Sequence, residues 1–284
     1  MNSSLVYVIV LNWNGKKLLD DCLNSLMKLD YNNYKVLLVD NASSDGSVDY
    51  VKTKFSGVEM VVLDKNYGFA GGNNEGFDYA KKNNAEYVIF INNDTIVKSN
   101  FIDSLLIPFE NSQVGQTVPK IFFAEQQDKI WYAGGKINFW TGHIYHEGIR
   151  ELDGIKYNNG KITDYATGCC FCMKTSIFEK LGGFDESFGM YSEDTDLSIR
   201  LKKQEGLDVY FAPDSIIYHK VSASIGGAYS FRKLKKKFRA NIKLMRRHAR
   251  PYQWVTQVIS FPFLLIYGIM IYVLISLFYH SSSE

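Results

Sequence analysis

Between Val6 and Asp94 the chain repeats one pattern: a short apolar run rich in Val, Ile and Leu that stops on polar residues, then a stretch with apolar residues at helical spacing. The runs are VYVIVLN, KVLLVDN, EMVVLDK and YVIFINND; the stretches between them include KKLLDDCLNSLMKL, GSVDYVKTKF and GFDYAKKN. Such runs read as strands buried on both faces, and strands alternating with helices need crossovers that leave neighbouring strands parallel. The expected fold class is α/β, a Rossmann-like, mainly parallel sheet with flanking helices and right-handed crossovers. No internal repeat or low-complexity tract breaks the pattern.

Three of the runs end in polar clusters: LNWNG (11–15), VDNASSDGS (39–47) and INNDT (91–95). Singly, each is a turn, with Asp40 as a helix cap and Trp13 as core. In a parallel sheet, however, all carboxyl ends lie on one edge, so the clusters converge into a polar cleft where open α/β sheets bind ligands. There Asp40 is able to accept the imide N–H of uracil or thymine, and Trp13 offers a face for a stacked base. Asp94 is enough for a divalent cation on a diphosphate, because such ions take one or two carboxylates and complete their shell with phosphate oxygens and water. The string NYGFAGGNN (66–74) supplies glycine where a backbone would approach a ligand closely. It follows the third strand, so it is not the dinucleotide fingerprint, which opens the first βα turn.

The stretch from about 115 to 175 is less regular, and WYAGGKINFWTGHIYHEG within it reads as a hairpin or a long loop over the cleft. A buried strand, a short helix and a second helix starting near Ser192 follow. Ser192 fits an N-cap, with Glu193, Asp194 and Asp196 complementing the helix dipole. The same helix start, turned to the cleft, would present a carboxylate general base. Beyond it, VYFAP and SIIYH read as strands, the latter ending on His219, either a structural residue or a ligand.

The net charge of +2 hides an asymmetry: from Lys220 onward there are 11 Lys or Arg and a single acid, Glu284, against 21 bases and 29 acids before. Phe231 to Arg250 reads as a basic helix, and no charged residue occurs from Pro251 to Tyr279. As one helix, Val258 to Tyr279 would reach about 33 Å, enough to cross a bilayer core of about 30 Å. A pair of helices broken at Pro262 and lying in the interface is the competing reading. Basic residues abutting an apolar stretch suit anionic lipid headgroups better than nucleic acid. Cys22, Cys169, Cys170 and Cys172 are expected as buried thiols in a reducing compartment, since the three in CCFC are too close together to pair readily. The amino terminus lacks a basic stretch and a cleavage site, and reads as a first strand without an export signal.

Taken in order, LNWNG, VDNASSDGS, NYGFAGGNN, INNDT, TGCCFCMKTSIFEKLGGFDESFGMYSEDTDLSIR and YHK resemble the inverting nucleotide-sugar glycosyltransferases of family 2, particularly the rhamnosyltransferase-like group. The resemblance covers about 1–220 and implies a GT-A fold, with a nucleotide-binding half to about 115 and an acceptor-binding half over 116–220. A basic helical segment (221–250) and an apolar, membrane-associating segment (251–284) would follow. It further implies that Asp40 recognises the base and Trp13 stacks on it, with Asn12, Asn66, Gly71, Asn73, Asn93 and Asp94 at the nucleotide sugar. Asp94 and His219 would hold Mg2+ or Mn2+. Asn92 stands where the family's Asp-x-Asp motif has its first acid. Glu193-Asp194 matches the catalytic pair, with Asp194 as base. The implied donor is a dTDP- or UDP-sugar, with L-rhamnose foremost, and the acceptor a glycan or lipid-linked saccharide at the cytoplasmic face of the cell membrane. Transfer to a polyisoprenyl phosphate, or a catalytically silent sugar-binding subunit, are the alternatives. The Q-x-x-R-W motif of processive synthases is missing, which implies one or a few sugars per acceptor.

Overall fold

The computed structural model describes residues 4–221 and 231–260, with Phe263, Ile266 and Met270 beyond them. The strands are β1 (Val6–Asn12), β2 (Tyr34–Asp40), β3 (Glu59–Val62), β4 (Tyr87–Asn92), β5 (Thr95–Val97), β6 (Val114–Phe123), β7 (Ile130–Tyr132), β8 (Gly135–Asn138), β9 (His143–His146), β10 (Lys161–Thr163), β11 (Cys170–Lys174) and β12 (Asp208–His219). The helices are α1 (Lys16–Leu26), α2 (Ser47–Lys54), α3 (Gly68–Lys82), α4 (Phe101–Leu106), α5 (Thr175–Lys180), α6 (Glu193–Arg200) and α7 (Phe231–His248).

One sheet carries the fold, in the order β10-β12-β6-β11-β4-β1-β2-β3. The β3-β2-β1-β4 half is parallel, as the alternation requires. β11 inserts antiparallel between β4 and β6, and β12 runs parallel to β6. Both halves expected from the sequence therefore share one sheet. The chain fills β1, β2 and β3 on one side, then returns to place β4 on the other side of β1. That reversal is a topological switch point, where neighbouring connections diverge and leave a crevice beyond the carboxyl ends. All four cysteines are buried free thiols.

From Gly68 onward, residues 66–74 are the first turns of α3. Its glycines let that helix approach the sheet, since a Cβ on Gly72 would lie 2.5 Å from Leu11 Cδ1 and one on Gly76 2.6 Å from Ile9 Cγ2. VYFAP and SIIYH are one strand, whose register with β6 breaks between Ala212 and Ile216, so Pro213 falls in the irregularity and costs no ladder bond. Ser192 does not cap α6 with its side chain, because its backbone is left-handed (φ 69°).

The basic segment docks on the domain: Leu244 and Met245 of α7 pack with Phe188, Ile199, Ile137, Phe139, Ile144 and Trp254. Residues 251–260 are helical. Among the described residues no helix is long and apolar enough to cross a membrane. Most of the Val258–Tyr279 stretch expected to do so lies outside the described residues.

Candidate active site

β1 and β2 end level, Asn12 opposite Asp40. Both side chains are fully buried. Asn12 Nδ2 donates to Asp40 Oδ2 (3.0 Å) and Ser43 Oγ (3.2 Å), and Asn12 Oδ1 accepts from Asn93 Nδ2 (2.8 Å). The Ser43 amide donates to Asp40 Oδ1 (2.8 Å). One hydrogen-bonded net thus joins the ends of β1, β2 and β4, and each Asp40 oxygen keeps a lone pair for a further donor. Trp13 is 44% exposed at the rim, which removes the core reading and leaves a face open for stacking. Gly15 makes room for the net: a Cβ there would sit 2.2 Å from Asn93 Nδ2 and 2.6 Å from Asn12 Oδ1. Gly15→Ala is expected to break the Asn12–Asn93 bond and cost about 1–3 kcal/mol by leaving buried polar groups unpaired, measurable by urea denaturation.

Asn41, which the sequence reading passed over, fastens the entry to α3. Its Nδ2 donates to Asn66 Oδ1 (3.1 Å) and Gly68 O (2.9 Å), and its Oδ1 accepts from the Tyr67 amide (2.8 Å). Asn66 in turn accepts from the Gly68 amide (2.7 Å). Gly71 lies against Tyr67 and Glu186, and Asn73 Nδ2 donates to Phe69 O within α3. The contacts of Gly71 and Asn73 are therefore helix packing, outside the Asn12–Asp40–Asn93 net.

Asp94 and His219 meet because β5 follows Asp94 directly and pairs antiparallel with β12, setting Thr95 opposite His219. Both are buried, and Asp94 Oδ1 lies 3.2 Å from His219 Nε2. Asp94 Oδ1 and His219 Nδ1 lack hydrogen-bond partners. Burial opposes protonation of His219, but Cys169 and Asp94 against it prevail and push its pKa up to about 10. Without a cation the two form a carboxylate–imidazolium contact; a divalent cation that displaced the proton from His219 would find a carboxylate and an imidazole nitrogen as donors. Among the described residues no group of three or more His, Cys, Asp or Glu could hold a metal ion.

Glu193 and Asp194 open α6. Tyr191 and Ser192 before them are both left-handed (φ 77° and 69°), a strain of about 1–3 kcal/mol each of the kind that collects at functional sites. Asp194 Oδ2 accepts from the Gly168 amide (2.6 Å), and its Oδ1 from the Thr195 amide (2.6 Å) and hydroxyl (3.1 Å). Gly168 allows this: a Cβ would lie 3.2 Å from Phe69 Cζ and 3.3 Å from Asp194 Oδ2. Burial raises the Asp194 pKa, and the Gly168 and Thr195 hydrogen bonds restrain the rise. Glu193 is buried with Oε2 unpartnered. Burial first, then the Asp194 charge, push its pKa up to about 8. The three donors thus favour the charge on Asp194, while burial without a partner for Oε2 favours the proton on Glu193. Two carboxyls so differentiated are an acid–base arrangement.

Asp196, in the first turn of α6 as expected, has a second role. Its buried carboxylate takes Arg200 Nε (2.7 Å), Arg247 Nη1 (3.0 Å) and His248 Nε2 (2.7 Å). Arg247 also pairs with Asp185. α7 is thereby clamped to the first turn of α6. On the other side, Trp131 stands edge-on to His219 (4.6 Å between centroids) and His146 (4.5 Å), bringing the β8–β9 hairpin to the Asp94–His219 pair.

Residues 7–182 match the family described as glycosyl transferase family 2. The chain is 28% identical over 229 residues to O-antigen biosynthesis protein RfbC of Myxococcus xanthus, a match covering 77% of this chain and 17% of that protein. It is 24% identical over 240 residues to N-acetylglucosaminyl-diphospho-decaprenol L-rhamnosyltransferase of Mycobacterium tuberculosis, covering 76% of each. Among solved structures, GalNAc-T7 with UDP, GalNAc and Mn2+ is similar in fold, with a TM-score of 0.66 and 19% identity over 84% of this chain. The match spans about half of that chain, at 48%.

Proposed function

The chain belongs to glycosyl transferase family 2, and from that premise we propose that it transfers a sugar, foremost L-rhamnose from a dTDP donor, to a glycan or lipid-linked saccharide with inversion at the anomeric carbon. One observation carries the reading. Gly168 hydrogen-bonds Asp194 while its neighbour Cys169 lies against His219 and Asp94, so a base and a cation-binding pair share one short backbone link. Asp40 would recognise the base and Trp13 would stack on it, with Asn93 at the ribose. Asp194 takes the proton of the acceptor hydroxyl as its oxygen bonds to the anomeric carbon. The bond from that carbon to the diphosphate oxygen breaks on the opposite face, and no sugar–enzyme intermediate is needed. Mg2+ or Mn2+ held by Asp94 and His219 would offset charge on the departing diphosphate. The name of the Mycobacterium tuberculosis relative supports a rhamnosyl donor and a lipid-linked acceptor. The basic and apolar C-terminal segments support work at the cytoplasmic face of a membrane.

The test is release of nucleoside diphosphate from a panel of nucleotide sugars with and without Mg2+ or Mn2+. Donor turnover is expected with metal and a dTDP- or UDP-sugar; a protein that turns over no donor would be a sugar-binding subunit. Asp94→Ala is expected to weaken the metal dependence by about 10–100-fold, a range seen even for groups that only orient a ligand. An unchanged metal requirement would remove Asp94 from that role.

A further inference from the structure

We propose that the helix beginning at Pro251 and the tip of the β8–β9 hairpin form one face that lies in the plane of an anionic membrane at headgroup depth, without crossing it there. This rests on the membrane-associated part of the functional reading and specifies its geometry.

The helix is two-sided. Three of its polar side chains are spent on the hairpin: Thr256 Oγ1 donates to Trp140 O (2.7 Å), Gln257 Nε2 to Phe139 O (2.6 Å) and Ser260 Oγ to Thr141 O (3.3 Å). Asn241 of α7 donates to Gly142 O (2.9 Å) of the same tip. On the other side Tyr252, Val255, Ile259, Phe263, Ile266 and Met270 are 50 to 71% exposed. Their spacing of three or four residues makes a single helical stripe. Trp140, 52% exposed, extends it from the hairpin, its ring 5.5 Å from that of Tyr252. An apolar stripe with an aromatic rim and no cover among the described residues marks an interaction surface.

Charge selects the occupant. Lys235, Lys236, Arg239 and Arg246 are exposed on the adjoining helix and Arg250 in the link after it, and no acid lies between Lys220 and Glu284. A second copy of the chain would oppose like charges across this face, whereas anionic headgroups neutralise them and acyl chains cover the stripe. The orientation follows from the hydrogen bonds. Residues 251–260 run along the catalytic domain, fixed to a hairpin whose β9 ends at His146 beside Trp131, so they are unable to stand inside hydrocarbon. The face thus brings the hairpin side of the cleft to headgroup depth.

The test uses the full chain with phosphatidylcholine vesicles with and without about one-third phosphatidylglycerol. Sedimentation with the anionic vesicles only, and release in high salt or alkaline carbonate, are expected. Ile259→Glu and Trp140→Ala should each lower the bound fraction at least several-fold while leaving the melting temperature and donor hydrolysis unchanged. Equal binding to both vesicles, resistance to carbonate extraction, or a dimer in solution abolished by Ile259→Glu would overturn the proposal. Vesicle binding without any donor turnover would strike the transferase reading alone and leave this face standing.

Discussion

Asp194→Asn is expected to lower transfer by about 10²–10⁴-fold, the usual contribution of a positioned general base, with nucleotide binding retained. The amide fits the same space beside Gly168 and Thr195, so the fold should survive, but it takes no proton from an acceptor hydroxyl. Glu193→Gln should behave differently. Glu193 is pushed up to about 8 by burial and by the Asp194 charge, so glutamine reproduces the neutral form the wild type holds at pH 7. Transfer at pH 7 is expected to persist in this variant, and any change in the wild-type rate near pH 8 that Glu193 causes should vanish. Stability gives an independent check. A carboxyl whose folded pKa exceeds its unfolded one binds its proton more tightly in the folded state. Its cost is absent below the ordinary value of 4.5, grows as pH rises, and levels off above about 8. The melting difference between Glu193→Gln and wild type should widen in the variant's favour across that window. Substantial turnover by Asp194→Asn would remove Asp194 as the base.

These residues were found from the sequence for a reason that also marks its limit. Buried strands announce themselves by composition, and parallel strands must share a carboxyl edge, so Asn12, Asp40, Asn93 and Asp94 converge wherever the helices lie. The structure joins three of them in one net and sets Asp94 against His219. Glycine is less informative, because it signals close approach without saying to what. Gly72 and Gly76 approach Leu11 and Ile9 of the sheet. Pro213 suggested a strand break, whereas β12 runs through it at a register shift. Asn41 and Asp196 were illegible because their roles depend on partners distant in sequence. Nothing in EDTDLSIR distinguishes an acid at a helix start from one that receives Arg247 and His248, 51 and 52 residues away.

Asp196→Ala is expected to be the most destabilising substitution in the domain, costing about 3–5 kcal/mol in urea denaturation, because removing one partner of a buried ion cluster leaves the others uncompensated. Arg200 would keep its bonds to Leu181 O (2.6 Å) and Gly183 O (2.8 Å), but Arg247 and His248 would lose their attachment to α6. Burial opposes ionisation of Asp196, yet His248, Arg200 and Arg247 outweigh it and hold the carboxyl below its ordinary value of 3.8. A depressed carboxyl contributes stability that is present above its unfolded pKa and lost as pH falls through the folded one, so the wild type should surrender this advantage only in strong acid. His248→Ala in the Asp196→Ala background should cost less than in the wild type, since the cluster is already broken. Additive losses, or a loss under about 1 kcal/mol for Asp196→Ala, would show that the other contacts of α7, among them the packing of Leu244 and Met245 and the Arg247–Asp185 pair, hold it in place. The coupling decides more than stability. Asp196 lies two residues beyond Asp194 in the first turn of α6, so a variant that frees α7 without unfolding the domain should lower kcat with donor KM unchanged.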